Sequence, residues 1–120
     1  MGKKIMLVDD AAFMRMMIKN MLTQGGYTEI IEAKNGVEAV DMYKSEKPDL
    51  VIMDITMPEK DGIEALRDIK GYDANSNVVM CSALGQEKLV LDALKSGAAD
   101  FIVKPFKPDR IMETVAKFFN

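Results

Sequence analysis

Three aspartates, a serine and a lysine stand out because each closes a short apolar run. Asp9-Asp10 follow Lys4-Ile5-Met6-Leu7-Val8, and Asp54 follows Leu50-Val51-Ile52-Met53. Ser82 follows Val78-Val79-Met80-Cys81, and Lys104 follows Phe101-Ile102-Val103. Continuous apolar runs of this length read as strands buried on both faces. In an open parallel sheet all strands point one way, and ligands gather beyond their C-terminal ends. These four ends then deliver three carboxylates, a hydroxyl and an ammonium to one edge.

Clustered carboxylates repel and raise one another's pKa. A hard divalent cation relieves that repulsion. An all-oxygen donor set favours Mg²⁺, which takes one or two carboxylates and keeps waters for a phosphate. Lys104 can balance part of the remaining charge. A carboxylate such as Asp54 can attack a phosphoryl group to give an aspartyl phosphate. That transfer relies on positioning and charge neutralisation more than on acid–base groups, which suits a chain with no histidine. Taken singly, each residue has a plainer role: Asp10 as a helix N-cap, Ser82 in a turn, Lys104 as a solvated charge. The specificity lies in their placement on four particular strands.

The elements that must position them follow the same pattern along the chain. A helix is expected from Ala11 or Ala12 to Gln24, with Met14, Met17, Ile18, Met21 and Leu22 as its apolar stripe and Arg15, Lys19 and Asn20 opposite. Gly25-Gly26 stops it. Thr28 to Ala33 reads as a less apolar strand at an edge. Val37, Ala39, Val40 and Tyr43 mark a helix ending before Pro48. Gly62 to Lys70 reads as a helix closed by Gly71, and Gln86 to Ser96 as one carrying Leu89, Val90, Ala93 and Leu94 before Gly97. Pro108-Asp109 opens the last helix, with Ile111, Val115 and Phe118 as its stripe. Five strands alternating with five helices specify an α/β fold, a parallel sheet covered on both faces.

The 120 residues suit one domain with a real core. A 48% hydrophobic and 29% charged composition is that of a soluble globular chain. The net charge of −3 argues against nucleic acid as the main partner. Cys81 is the single cysteine, which excludes an internal disulfide, fits a reducing cytoplasm and reads as a buried core residue. No signal-peptide pattern precedes Asp9, and no run approaches the ~20 apolar residues of a membrane span. The absence of histidine excludes Ser/His/Asp triads, His-ligated zinc and imidazole acid–base work. Any histidine chemistry must come from another chain. The eleven methionines read chiefly as adaptable core filler.

Over all 120 residues the chain resembles the receiver domains of two-component signalling. The resemblance is carried by Val8-Asp9-Asp10, by Met53-Asp54-Ile55-Thr56-Met57-Pro58 with Asp61-Gly62, by Ser82-Ala83 and by Lys104-Pro105-Phe106. Val8-Asp9-Asp10-Ala11-Ala12-Phe13-Met14-Arg15, Met80-Cys81-Ser82-Ala83-Leu84-Gly85-Gln86 and Asp100 to Phe106 are further similar to stand-alone chemotaxis regulators of Gram-positive bacteria, deep-branching bacteria and archaea.

The resemblance implies a sheet order of 2-1-3-4-5 and a single receiver domain over 1–120. It implies Asp54 as phosphoacceptor, and Mg²⁺ on Asp10, Asp54 and the Thr56 carbonyl, with Asp9 acting through water. Lys104 would contact the phosphoryl group, Ser82 would hydrogen-bond it after transfer, and Phe101 would be the switch aromatic. Lys104-Pro105 would be a cis peptide bond. Thr56 and Leu84 would tune dephosphorylation. Ser82 replaces a more usual Thr, and Phe101 a more usual Tyr, so its inward state must rely on packing.

The implied partners are a histidine kinase as donor, a flagellar switch or archaellum adaptor protein as target, and a phosphatase. The chain would be a cytoplasmic monomer, and not an enzyme beyond its own phosphoryl transfer and autodephosphorylation. Since no output domain follows Asn120, the expected output is protein contact through the fourth helix, fifth strand and fifth helix. A stand-alone phosphorelay carrier is the alternative. A haloacid-dehalogenase-like enzyme would separate its two aspartates by one residue, whereas Asp9 and Asp10 are adjacent. A flavodoxin-like carrier would need a Ser/Thr-rich first loop that this sequence lacks.

Overall fold

Each of the apolar runs forms a strand, and the carboxylates and the lysine stand at their C-terminal ends. The computed structural model describes residues 3–119. In chain order the elements are β1 (Ile5–Val8), α1 (Ala12–Gln24), β2 (Ile30–Ala33), α2 (Gly36–Glu46) and β3 (Leu50–Asp54). They continue with α3 (Gly62–Tyr72), β4 (Val78–Ser82), α4 (Glu87–Lys95), β5 (Asp100–Val103) and α5 (Pro108–Phe119). The strands are all parallel and lie in the order β2-β1-β3-β4-β5.

Strand alternation divides the core in two. Ile5, Leu7, Leu50, Ile52, Val79, Cys81 and Ile102 face α1 and α5, packing on Ile18, Leu22, Ile111 and Val115. Met6, Val8, Val51, Met53, Val78 and Met80 face α2, α3 and α4, packing on Val40, Leu66, Ile69, Val90 and Ala93. Asp54 continues the row of Leu50 and Ile52, so its carboxylate belongs to the α1/α5 side. Carried past their strand ends, the same alternation puts Asp9 and Lys104 on that side too. Ser82 continues the row of Val78 and Met80 and belongs to the α4 side.

Three expectations are corrected. β2 starts at Ile30 rather than Thr28, although Ile5 N–H already bonds the Glu29 carbonyl. It is an edge strand, and only its Ala33 is fully buried. α3 runs through Gly71 to Tyr72. Open space surrounds Gly71, and the Tyr72 ring meets Tyr43 edge-on at 6.3 Å. On α4 only Val90 and Ala93 are buried, while Leu89 and Leu94 are each 39% exposed. α4 lies near the β5 edge, where no further layer covers its outer side.

Gly62 sits where the chain after β3 returns to its own strand. Its N–H donates to the Ile55 carbonyl at 2.7 Å, and a Cβ there would lie 2.2 Å from the Asp54 carbonyl oxygen. The obstacle is backbone, which yields poorly. Gly62→Ala should therefore lower stability by about 1–3 kcal/mol, read as a lower urea midpoint at unchanged m.

Candidate acidic site at the sheet edge

The first helix starts without help from Asp10. Ala11 is the N-cap of α1, with no side-chain cap and no acid in the first turn. Asp9 instead turns back, its Oδ1 accepting the Ala11 N–H at 2.9 Å. Arg15 braces this corner by donating to the Asp9 carbonyl and, through Nε at 2.9 Å, to Glu32. Asp10 is left exposed.

Asp9, Asp10 and Asp54 each offer a carboxylate oxygen, and these atoms lie within 4.8 Å of one another. Like charges about 4 Å apart repel by roughly 4 kcal/mol at an effective dielectric of ~20. Among the described residues one cation answers them. The Lys104 Nζ lies 3.1 Å from Asp9 Oδ2 and 3.4 Å from Asp54 Oδ1. The Lys104-Pro105 bond that follows is cis.

Burial lifts the Asp54 carboxyl above its usual 3.8; Lys104 opposes the rise, and the Asp9 and Asp10 charges add to it. Burial pushes the Lys104 ammonium down, but the Asp54 and Asp9 carboxylates outweigh it, leaving its pKa above the usual 10.5. Three carboxylates against the Lys104 ammonium leave the cluster net negative. That donor set fits a hard divalent cation, with oxygen ligands only and an exposed member through which waters can enter. Beside it, burial pushes the Cys81 thiol up to about 12, so it stays protonated and is no nucleophile.

Ser82 is placed differently. Its hydroxyl is buried on the α4 side and bonds nothing, while its carbonyl accepts the Lys104 N–H at 2.6 Å. It lines a groove of about 340 Å³ with Leu84, Val90, Leu91, Leu94 and Phe101. Phe101 is half-buried against the α2/α3/α4 core. Thr56 is exposed, and its hydroxyl accepts from Gln86 at 2.9 Å. The sequence-predicted carboxylates and lysine therefore meet, while Ser82, Phe101 and Thr56 stand around them. Arg15 and Gln86 had no sequence signal, because each reaches a partner on another element, Glu32 of β2 and Thr56 after β3.

A model of the Response regulator receiver domain matches residues 5–116. The chain belongs to the response regulator receiver family. Among relatives of this receiver, the chemotaxis protein CheY of Bacillus subtilis (strain 168) is 56% identical over 120 residues, all of both chains. CheY of Thermotoga maritima is 55% identical over 117 residues, 98% of each chain. A chain in the crystal structure of the CheX-CheY-BeF3-Mg+2 complex from Borrelia burgdorferi is 40% identical, with a TM-score of 0.91 over 98% of this chain and 89% of that one. Among the described residues no helix is long and apolar enough to cross a membrane.

Because Asp54 titrates above 3.8 in the folded receiver, its ionisation works against the fold. The penalty is absent at pH values well below 3.8 and grows as pH rises through the folded-state pKa. Asp54→Asn should therefore be more stable than the native receiver near pH 7, and the gap should close on acidification. Urea midpoints of both proteins across that range test it.

Proposed function

We propose that this chain is a phosphorylation-activated chemotaxis response regulator whose phosphoacceptor is Asp54. The observation that carries the reading is the meeting of Asp9, Asp10, Asp54 and Lys104 at one sheet edge. In the transfer, an Asp54 carboxylate oxygen forms a bond to phosphorus. The P–N bond of a kinase phosphohistidine breaks, and the imidazole leaves with the electron pair. Lys104 keeps its charge beside the developing phosphoryl oxygens. Asp10, Asp54 and the Thr56 carbonyl would hold Mg²⁺, with Asp9 acting through water. When bound, the metal supplies charge neutralisation at the transferring group. Water later hydrolyses the acyl phosphate, unaided or with a phosphatase.

The product carries about −1.5 to −2 of new charge. Ser82 has an unpaired buried hydroxyl with which to grip it, and its loop borders the apolar groove. A hundredfold shift between two packings needs about 2.7 kcal/mol. One or two hydrogen bonds to a charged group, at about 1.5–3 kcal/mol each, reach that. Leu84 is 78% exposed and Leu91 57% exposed along the groove, which suits docking by a protein target. The target in this reading is a flagellar switch or archaellum adaptor protein in the cytoplasm. The closeness to CheY of Bacillus and Thermotoga supports it.

Phosphoramidate with Mg²⁺ should add one phosphoryl group per chain by intact mass. Asp54→Asn and metal chelation should each abolish the addition. Amide shifts on phosphorylation should concentrate on the surface formed by α4, β5 and α5. Equal labelling of Asp54→Asn would dispose of the phosphoacceptor assignment. Onward transfer from Asp54 to a second histidine protein, with no motor component bound, would mark a relay carrier instead.

A further inference from the structure

Gln86 joins the two loops that flank Asp54. β3 and β4 pair Asp54 with Cys81, and the ladder ends with the Ile55 N–H donating to the Cys81 carbonyl at 3.1 Å. Past that bond the side-chain amide of Gln86 bridges the two chains. Its Oε1 accepts the Ala83 N–H at 2.6 Å, and its Nε2 donates to Thr56 Oγ1 at 2.9 Å. The orientation is set by Ala83, whose backbone N–H can only donate. The Gln86 N–H also returns to the Ala83 carbonyl at 3.3 Å, so both polar groups of Ala83 are engaged by one residue.

The neighbouring donor is treated in the opposite way. The Ser82 hydroxyl is buried without an acceptor. Ser82 and Ala83 carry the donors that come next past the Asp54–Cys81 pair. A phosphoryl group on Asp54 would bring strong acceptor oxygens to this place. The Ser82 hydroxyl is available to them; the Ala83 N–H is already occupied. Hydrogen bonds to an anionic oxygen are roughly twice as strong as neutral ones, so a phosphoryl group can displace the glutamine, but only in competition with it.

We propose that Gln86 is a positioning residue that competes with the phosphoryl group: its side-chain oxygen stands in at the Ala83 N–H and clasps the β4–α4 loop to Thr56 until phosphorylation displaces it. This rests on Asp54 being the phosphoacceptor. The clasp sets the threshold for activation without touching the reacting atoms. It also explains why the loop that leads into α4 is ordered by a side chain from the helix N-cap, a position where Gln86 caps no helix amide.

The test titrates beryllofluoride, which stands in for the phosphoryl group, into the protein with Mg²⁺, and follows ¹⁵N amide spectra. Gln86→Met keeps length and removes the acceptor; it should bind about 3- to 10-fold tighter, the reach of one neutral hydrogen bond. Before titration its Ala83 amide should lose its hydrogen-bonded shift while the rest of the spectrum is kept. Gln86→Glu puts an anionic acceptor on the same amide and should bind at least about 10-fold more weakly. Unchanged or weaker binding by Gln86→Met, or native affinity in Gln86→Glu, would overturn the clasp. Asp54→Asn separates the two readings. If it binds beryllofluoride as the native protein does, the phosphoacceptor assignment falls, and the clasp with it. If it loses binding while Gln86→Met matches the native protein, only the clasp falls.

Discussion

The Lys104 ammonium, set between Asp9 and Asp54, is the interaction on which this structure turns. Parallel strands must end on a common edge, and here two of those ends, of β1 and β3, carry three acids at repulsive separations. A fold that gathers such charges without a counterion raises their pKa values or springs apart. Lys104 arrives from the opposite end of the chain, 95 residues from Asp9, and offsets part of the repulsion. It leaves enough negative charge for a divalent cation and enough burial to keep Asp54 ill at ease when ionised. The site is a local exception to good packing, of the kind that functional sites show.

Strand alternation then separates the acidic cluster from the groove beside α4. Asp9, Asp54 and Lys104 follow the rows that face α1 and α5. Ser82 and Phe101 follow the rows that face α4. The two sets meet only at the sheet edge, through the loops after β3 and β4. In β4 a one-residue step, from Cys81 to Ser82, crosses from the α1/α5 side to the α4 side. The leucines that α4 leaves uncovered lie on that second side. A buried hydroxyl without a partner is costly in an ordinary core, and that of Ser82 lies beside the groove.

Much of this was legible from residue order. Met6, Met53 and Met80 are wholly buried in strands, as adaptable core filler should be. On α1, however, Met16 is 50% exposed and Phe13 66% exposed, so the methionine-rich stretch is only partly core. Leu89 and Leu94 have the spacing of buried residues, yet the sheet ends before it can cover them. Periodicity reports which face a helix would bury, not how much surface the neighbouring layer supplies. Gly71 reads as a stop, but with ordinary backbone and an aromatic contact just beyond it the helix continues.

The sequence by itself determined the strands, their parallel arrangement and the acids and lysine that must share an edge. Those follow from local runs, from alternation and from the direction common to parallel strands, none of which needs coordinates. Only the tertiary structure decided which oxygen pairs with Lys104, that Asp9 rather than Asp10 turns back to the α1 N-terminus, and that Ser82 lies unpaired on the α4 side. The Gln86 bridge belongs with these. The Lys104 pairing and the Gln86 bridge to Thr56 depend on the distance between segments remote in sequence, and such distances are set by packing of the whole sheet and its helices, not by any residue's own propensity.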